Sequence, residues 1–563
     1  MLTISEWFSR VRFAARSRLD TSRHSRPMNR QWYVAVLLFG AVFGVYAASP
    51  VTQSMDSRWT MHTALSLLGE GDVDLDEFIG LIPPDDYRIV QLNGHFYPFF
   101  PLGPTLMATP LVLPYALLQP DIHAIEASYS TLEKLCASIL TALAVVIVYL
   151  TARSCAKVPP ALLIALSFAF TTSAWSTASR ALWQHGPSML LLAVALYLLV
   201  LAQQRSGFAQ YAALPLALSY AVRPTNIISI VVLTGYVLLC HKKQFARYVL
   251  WASLVAIPFV LFNLNTHHAV LPPYYLSKLS MHSKFGEALL GNLISPSRGL
   301  LLLTPVLMIV FYSIWLKLRT RRLTPLDGAL LAIIFLHWVT ISSFPHWWAG
   351  HSFGPRFFSD MLPYLSYLLI PALVKVTGTA GHRLTRYSFV VAFVFGFGVH
   401  SAGALQPSTL NWSVWPENID SRPSRVWDWT DPQFLRGSIV GRTLLPPQLK
   451  ITPAEAVIWY RPGEDPQAVE LLVTSSQNSR FFWEASASLE VRLTPSQDIG
   501  TNEVGLTVYV DAARYPPGSH DLGDIFLSAQ HSKLGRKRLV AIPIRLFVGT
   551  PHVIFLPIVL DAG

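Results

Sequence analysis

Four short segments of the sequence place ionisable side chains beside long apolar runs, together with glycine, proline or tryptophan. They are residues 56–77, 181–188, 292–301 and 346–360. Carboxylate and imidazole groups can transfer protons, and guanidinium groups can bind anions through paired hydrogen bonds. Ionisable groups at the edge of a bilayer are costly unless they pair with one another or line a wet cavity. The four segments therefore predict one shared polar pocket at a membrane surface.

The composition is that of a membrane protein rather than of a soluble enzyme. Of 563 residues, 52% are hydrophobic and only 13% are charged, which predicts many apolar helices that cross a bilayer. The net charge of +11 comes from short clusters of Lys and Arg between apolar runs, so we expect no nucleic-acid partner. Cys136, Cys155 and Cys240 offer neither a disulfide framework nor a metal cluster.

The apolar runs predict about eleven transmembrane helices, each of the length that a bilayer demands, about 17–25 residues. The basic segment 1–31 is expected to stay cytosolic, and an uncleaved first helix near 33–49 follows it. Basic clusters fall on alternate connections, which places the carboxyl terminus outside. Further spans are predicted near 130–152, 160–177, 187–204, 209–221, 224–240, 247–264, 299–316, 326–344, 357–375 and 387–404.

The first outer connection, 50–129, contains two segments with distinct patterns. Residues 57–69 place Trp59 and its helical neighbours on one face, which predicts an amphipathic helix lying in the membrane interface. Residues 98–118 are apolar but contain five prolines. Prolines disrupt a straight helix, so a re-entrant or surface-lying segment is expected there.

Asp56 and the acidic residues after it have structural interpretations beside chemical ones. Asp56 can cap a helix that begins near Ser57, because a carboxylate accepts the free amide hydrogens of a first turn. The run from Glu70 to Asp76 resembles either a metal loop or a solvated turn. An EF-hand is excluded, since Glu77 stands where that loop needs glycine and Pro83 where it needs glutamate. We therefore predict no metal site.

After residue 405 the sequence changes to short alternating stretches separated by Pro, Gly, Ser and Asp turns. This pattern predicts a linker at 405–446 and an antiparallel β-sandwich within 447–563. The Phe482-Trp483 strand and the PPGSHDLGDI turn resemble the immunoglobulin-like BACON domains of extracytoplasmic proteins. The resemblance leaves open whether this domain binds carbohydrate or acts as a spacer.

Six stretches within residues 33–404 share their order with a known superfamily. They are Asp56 after the first helix, NGHFYPFFPLGPTLMATP, ALWQH, SYAVRPTN, SPSRGLLLLTP and WWAGHSFGPRFFSDMLP. In this order they resemble the GT-C superfamily of glycosyltransferases, of the protein-mannosyltransferase and aminoarabinose-transferase type. These multi-span enzymes take a sugar from a polyprenyl-phosphate carrier. The resemblance implies a GT-C-type transmembrane catalytic domain at 32–404.

The resemblance also implies roles for the candidate side chains. A lipid phosphate is a stabilised leaving group, so the site needs cations on the phosphate rather than an acid. Arg298 and Arg356, with Arg223 as a third ligand, are expected to bind the donor phosphate. Asp56 occupies the outer loop where family members usually carry an acidic residue, and we expect it to act as the base. The predicted substrate-binding residues are His185, His351, Trp348 and Asp360.

Several of these assignments leave alternatives open. For His185 and His351, a structural hydrogen bond competes with substrate contact. Asp360 follows Arg356 by one helical turn, so it can be a second carboxylate of the reaction centre or simply the ion-pair partner of that arginine. The loop with Tyr274, Tyr275 and Lys278 is expected to shape the acceptor side.

The sequence thus predicts an integral membrane glycosyltransferase that moves a sugar from a polyprenyl-phosphate donor to an acceptor hydroxyl. The sugar is a pentose such as arabinofuranose or a hexose such as mannose, and the acceptor is a polysaccharide, a lipid or a protein. We expect the pocket and the sandwich on the outer face of the cytoplasmic (inner) membrane, and no soluble cofactor. The alternatives are a lipid or solute transporter (flippase) and a non-catalytic, glycan-binding membrane scaffold.

Overall fold

The computed structural model describes residues 28–549, apart from short gaps. The chain divides into two compact units, residues 1–407 and 408–563, each with its own apolar core. The first unit is helical and the second contains two β-sheets, so the predicted fold class is confirmed: a multi-pass helical membrane protein with a carboxyl-terminal β-sandwich. Most of the basic segment 1–31 lies outside the described residues. The gaps are residues 54, 120–121, 277–281, 379–382, 415–416, 439–445, 465–467, 476–480, 489, 496, 502 and 532–536.

The helices of the first unit are labelled α1 to α16 in chain order. The first seven are α1 (Met28–Ala48), α2 (Thr60–Gly69), α3 (Gly103–Leu118), α4 (Tyr129–Cys155), α5 (Val158–Phe170), α6 (His185–Ala202) and α7 (Ala213–Val222). The others are α8 (Ile227–Cys240), α9 (Phe245–His267), α10 (Phe285–Ile294), α11 (Leu300–Leu303), α12 (Ile309–Arg319), α13 (Pro325–Ser342), α14 (Leu362–Leu368), α15 (Ile370–Thr377) and α16 (Arg383–Leu405).

Six helical segments in the described residues are long and apolar enough to cross a bilayer. They contain α1, α4, α6, α9, α13 and α16, and a bent pair at Arg356–Leu368 and Ile370–Thr377 can add a seventh span. The structure also contains shorter apolar helices, at Gly103–Leu118, Val158–Phe170, Pro224–Cys240 and Phe285–Ile294. The total of about eleven spans stays a prediction, because length and composition do not decide which short helices cross the bilayer.

Besides the bent pair, two further predicted spans are interrupted. Helix α5 ends at Phe170, and a π-helical turn at Ala174–Ala178 follows it; such wide turns are frequent at functional sites. The run predicted at 299–316 is broken at Thr304, where the backbone leaves the helical region with φ of −128° and ψ of 63°. Pro305 explains this break, because a proline disfavours helical geometry in the residue before it.

The segment after α1 folds differently from the sequence-based expectation. Helix α2 has no exposed polar face along Met61 to Ser66, since these residues are all buried, and the helix contacts α3. Helix α3 continues through Pro110 and Pro114, so these prolines do not break the segment. Between the two helices, strands β1 (Ile89–Leu92) and β2 (His95–Pro98) form an antiparallel hairpin.

Two sheets form the β-sandwich of the second unit. The strands are β3 (Leu449–Thr452), β4 (Ala456–Tyr460), β5 (Val469–Ser475), β6 (Phe481–Ser486), β7 (Val491–Thr494), β8 (Gln497–Thr501), β9 (Glu503–Val510), β10 (Gly518–Gln530) and β11 (Arg538–Val548). The strand order is β4-β11-β10-β6-β8 in one sheet and β3-β5-β9-β7 in the other. Among the described strand pairs, β4 and β11 are parallel and the others are antiparallel.

Gly103, at the start of α3, makes a close backbone contact with the end of α7. A Cβ atom at this position would lie 2.5 Å from the backbone nitrogen of Val222 and 2.6 Å from the carbonyl oxygen of Ala221. Only a glycine allows this approach, because the contacted atoms are backbone and cannot rotate away. The contact fixes the residues that directly precede Arg223.

We predict that Gly103→Ala lowers the thermal unfolding midpoint of the detergent-solubilised protein by several degrees, because α3 must move away from α7. Gly40→Ala is the matched control. No atom lies within 4 Å of a Cβ placed at Gly40 in α1, so this variant should unfold at the wild-type temperature or slightly above it. Equal midpoints for the two variants would contradict the close packing at Gly103.

Candidate active site

A cavity of about 70 Å³ opens in the helical unit. Its lining combines polar and charged groups with aromatic rings from segments that are far apart in the sequence. Asp56, His185, Arg223 and Arg356 all line it, so the structure brings together four of the residues predicted from separate motifs. The cavity is therefore the candidate active site.

An ion pair joins the loop after α1 to the segment before α14. Nη2 of Arg356 lies 2.9 Å from Oδ2 of Asp56, and both side chains are partly exposed. Tyr87 donates a hydrogen bond of 3.2 Å to the other carboxylate oxygen, Oδ1. The guanidinium of Arg356 also lies over the ring of Trp183, 3.8 Å from its centroid, and this cation–π contact holds the group in place.

Asp56 does not cap helix α2. The helix begins at Thr60, its N-cap residue is Trp59, and no side chain caps it. The loop that carries Asp56 is held by Arg88, which donates to the carbonyl of Met55 at 3.2 Å. The structural alternative of a helix cap is thus wrong, and the Asp56 carboxylate faces the cavity instead.

His185 connects the two arginines of the cavity. Its Nε2 accepts a hydrogen bond from Nε of Arg356 at 3.1 Å. Nη1 of Arg223 contacts both ring nitrogens, Nδ1 more closely than Nε2, and Nδ1 also lies 3.6 Å from Oδ1 of Asp360. A ring nitrogen that accepts from a guanidinium carries no proton, so the ring is neutral. His185 therefore positions both guanidinium groups while adding no charge of its own.

Asp360 supplies the negative charge beneath this cluster. It is fully buried, and Nη1 of Arg223 lies 3.1 Å from its Oδ2. The alternative that Asp360 is simply the ion-pair partner of Arg356 is wrong, since Arg356 pairs with Asp56. The reason is local, because Arg356–Met361 form a 3-10 turn, in which residues four apart do not share a face.

Glu133 is a site residue that the sequence reasoning missed. This buried carboxylate, in the first turns of α4, accepts hydrogen bonds from the hydroxyl of Ser57 and from the backbone nitrogen of Leu182, the latter at 2.9 Å. Both partners line the cavity. The missed signal is an acidic residue at the start of a strongly apolar helix, which is costly unless it serves a site.

Aromatic residues form another part of the cavity wall. Phe99 and Phe100 contact the ring of Tyr274, with centroids 5.6 and 5.3 Å away. The Tyr274 hydroxyl accepts a hydrogen bond of 2.9 Å from Gln184, and burial raises the pKa of this phenol. Lys278, predicted nearby, lies outside the described residues.

Arg298 is not at the cavity. Its buried guanidinium donates to the backbone carbonyls of Trp348 and Gly350, at 2.6 and 3.1 Å. Between these two residues, Ala349 has a φ of +63°, which is uncommon for a residue with a Cβ. Arg298 thus fixes a strained turn that leads to Arg356. Its guanidinium binds backbone carbonyls, whereas the sequence predicted that it binds the donor phosphate.

Two other predicted residues belong to the same turn. The indole of Trp348 is buried against Trp347 and the ring of His346. The backbone carbonyl of His351 accepts a hydrogen bond from the side chain of Gln53. Neither residue lines the cavity, so the structure does not bring them to Asp56.

The acidic run after α2 meets a histidine from the hairpin. Nδ1 of His95 lies 2.6 Å from Oδ2 of Asp76 and 3.7 Å from Oδ2 of Asp74. Ligand atoms of the three residues lie within 4.8 Å of one another, a spacing that could hold a metal ion. Acidic groups at a surface often cluster without an ion, and the absence of a metal site stays a prediction.

No protein-family model matches the sequence, and no curated protein matches it either. Among solved structures, ArnT from Cupriavidus metallidurans bound to undecaprenyl phosphate is 14% identical, with a TM-score of 0.42 over 72% of this chain and 75% of that chain. The apo state of the same protein gives a TM-score of 0.40. The periplasmic chaperone SfaE, 16% identical, gives 0.14 over 19% of this chain and 59% of its own. Similarities this distant assign no function.

We predict that Asp360→Asn destabilises the protein by about 3 kcal/mol or more, because it leaves the buried Arg223 without a charged partner. Asp56→Asn is the comparison. Its ion pair with Arg356 is partly exposed, and such pairs contribute at most about 1 kcal/mol. Thermal unfolding of the two variants in the same detergent tests this order. A larger loss for Asp56→Asn would contradict the assignment of Asp360 as the structural carboxylate.

Proposed function

We propose that the protein is an integral membrane glycosyltransferase that moves a sugar from a polyprenyl-phosphate donor to an acceptor hydroxyl. The contact between Asp56 and Arg356 at one cavity carries this proposal. It places a carboxylate, which can act as a base, 2.9 Å from a guanidinium, which can hold a phosphate. The apolar helices of the same unit suit a donor with a lipid tail.

Arg356 and Arg223 are the proposed ligands of the donor phosphate. Nε and Nη2 of Arg356 bond to His185 and Asp56, and its Nη1 makes no hydrogen bond to the described residues. That nitrogen is therefore available to a phosphate oxygen. Arg298 is left out of the proposed phosphate site, because backbone carbonyls occupy its guanidinium.

The proposed reaction is a direct displacement at the anomeric carbon. The acceptor oxygen forms the new bond to this carbon, and its proton passes to Asp56. The bond from the anomeric carbon to the phosphate oxygen breaks, and its electron pair leaves with the lipid phosphate. The charge on that phosphate is stabilised by Arg356 and Arg223. Direct displacement inverts the anomeric configuration.

Donor binding also explains how Asp56 becomes available as a base. With no donor, its Oδ2 is paired with Arg356. A phosphate that binds Arg356 in bidentate fashion uses Nη1 together with Nη2, and it competes with the carboxylate for Nη2. Asp56 is then released toward the acceptor hydroxyl, so the base becomes active when the leaving group is in place.

The remaining parts of the proposal concern the location and the substrates. We propose that the cavity opens on the outer face of the cytoplasmic membrane, as the distribution of basic residues along the sequence favours. The donor sugar is a pentose or a hexose, and the acceptor is a polysaccharide, a lipid or a protein. No step of the proposed reaction uses a cofactor.

We predict that the purified protein releases lipid phosphate from at least one member of a panel of polyprenyl-phosphate sugars. Asp56→Asn should lower this release about 100-fold or more, because the base is lost. Arg356→Ala should lower it about 100-fold, because the leaving phosphate loses its cation. Release of lipid phosphate is measured chromatographically, in the presence and absence of candidate acceptors.

Asp85→Asn is the matched control for Asp56→Asn. Asp85 is an exposed acid of the same outer loop with a φ of +59°, a conformation that asparagine adopts readily. This variant should retain wild-type activity. The proposal fails if wild type acts on none of the donors, or if Asp56→Asn and Arg356→Ala are both fully active.

We predict that Tyr87→Phe keeps the shape of the pH profile of donor turnover between pH 6 and 9. Burial and the negative charge of Asp56 raise the pKa of Tyr87 to about 12, so this phenol keeps its proton throughout that range and does not titrate. The variant should be about tenfold slower, because one charge-assisted hydrogen bond to the Asp56 carboxylate is lost. A profile displaced along the pH axis would contradict this role.

A further inference from the structure

The carboxyl-terminal unit contains a second cavity that is separate from the candidate active site. Its volume is about 550 Å³, and every residue that lines it belongs to residues 408–563. The volume lies in the range of small-molecule sites, about 300–1,000 Å³. The wall comes from the segment 417–431, from Gln448 before β3 and from Arg538 at the start of β11.

Gln448 is the unusual residue of this cavity. Its side chain is 1% exposed, yet neither its amide nitrogen nor its amide oxygen has a hydrogen-bond partner among the described residues. A buried amide is costly unless both atoms are paired. A ligand that pairs with Gln448 must therefore both accept and donate hydrogen bonds within a short distance.

The cavity wall is fixed by buried contacts. Arg425 lies over the ring of Trp412 at 4.6 Å and 3.7 Å from Asp431. Arg436 donates to the same Asp431 carboxylate, and Nε1 of Trp412 donates to the Asp431 carbonyl at 2.8 Å. These contacts hold Arg425 and Asp431 at the cavity before any ligand binds, which lowers the entropic cost of binding.

The charges at the cavity balance. Three arginines and three acids line it, namely Arg422, Arg425, Arg538, Glu417, Asp428 and Asp431. A balanced lining favours neither an anion nor a cation. The half-buried Trp427 adds an aromatic side chain to this polar wall, and aromatic rings provide apolar contact at little entropic cost.

We propose that this cavity is a binding site for a neutral saccharide. Adjacent sugar hydroxyls each donate and accept, so a pair of them can satisfy both atoms of the Gln448 amide. Arginine and carboxylate groups can bond further hydroxyls, and Trp427 can contact the apolar face of the sugar ring. The site lies outside the proposed transfer centre, and its existence does not depend on that reaction.

Binding of neutral trisaccharides to the full-length protein in nanodiscs tests the proposal. The probes are linear trisaccharides of mannose, arabinose, glucose and galactose, with trigalacturonate as the anionic comparison, measured by titration calorimetry. At least one neutral trisaccharide should bind, and more tightly than trigalacturonate. Gln448→Leu should weaken that binding about tenfold, because a hydroxyl of the sugar then stays unpaired.

Gln530→Leu is the matched control, because it makes the same change in strand β10 at a residue that does not line the cavity; it should bind as wild type does. If Gln448→Leu loses its thermal transition, Arg538→Gln replaces it, and weaker binding is again expected. The proposal is overturned if no neutral trisaccharide binds, if only trigalacturonate binds, or if the folded cavity variants bind as tightly as wild type. Trisaccharide binding involves no sugar transfer. Its result, positive or negative, therefore does not depend on whether the protein turns over a polyprenyl-phosphate donor.

Discussion

The candidate active site depends on one imidazole ring that contacts two guanidinium groups. His185 contacts both Arg223 and Arg356, and two cations this close repel each other unless an anion lies beside them. The buried Asp360 supplies that anion. The charged lining of the cavity therefore rests on a carboxylate that does not itself line it.

This arrangement prepares the site for an anion before any ligand arrives. Arg356 is held by a ring face, an imidazole and a carboxylate, so little reorganisation is needed when a phosphate binds. The partner that a phosphate replaces most easily is Asp56, because it is the most exposed of the three. Phosphate binding would thus release the Asp56 carboxylate, which the proposed reaction then needs as its base.

Part of this site could be predicted from the sequence and part could not. The order of motifs predicted that Asp56, His185, Arg223 and Arg356 converge, and alternation predicted most strands of the sandwich. Strands β3 and β8 were missed, and β8, with the sequence QDIGT, has a single apolar side chain and so shows no alternation. The burial of α2 was missed because the periodicity of a helix shows which of its faces is apolar, but does not show whether other elements cover its polar face. The environments of Arg298 and Asp360 depend on a strained turn and a 3-10 turn, and residue spacing specifies neither.

Glu133 gives the cavity a mechanical property. One carboxylate joins the loop of Ser57 to the loop of Leu182, and these loops carry Asp56 on one side and Trp183 on the other. Neither loop can shift without losing a hydrogen bond to this buried carboxylate, and a buried carboxylate that loses a partner is costly. The spacing between the acid and the indole is therefore held by one shared anchor.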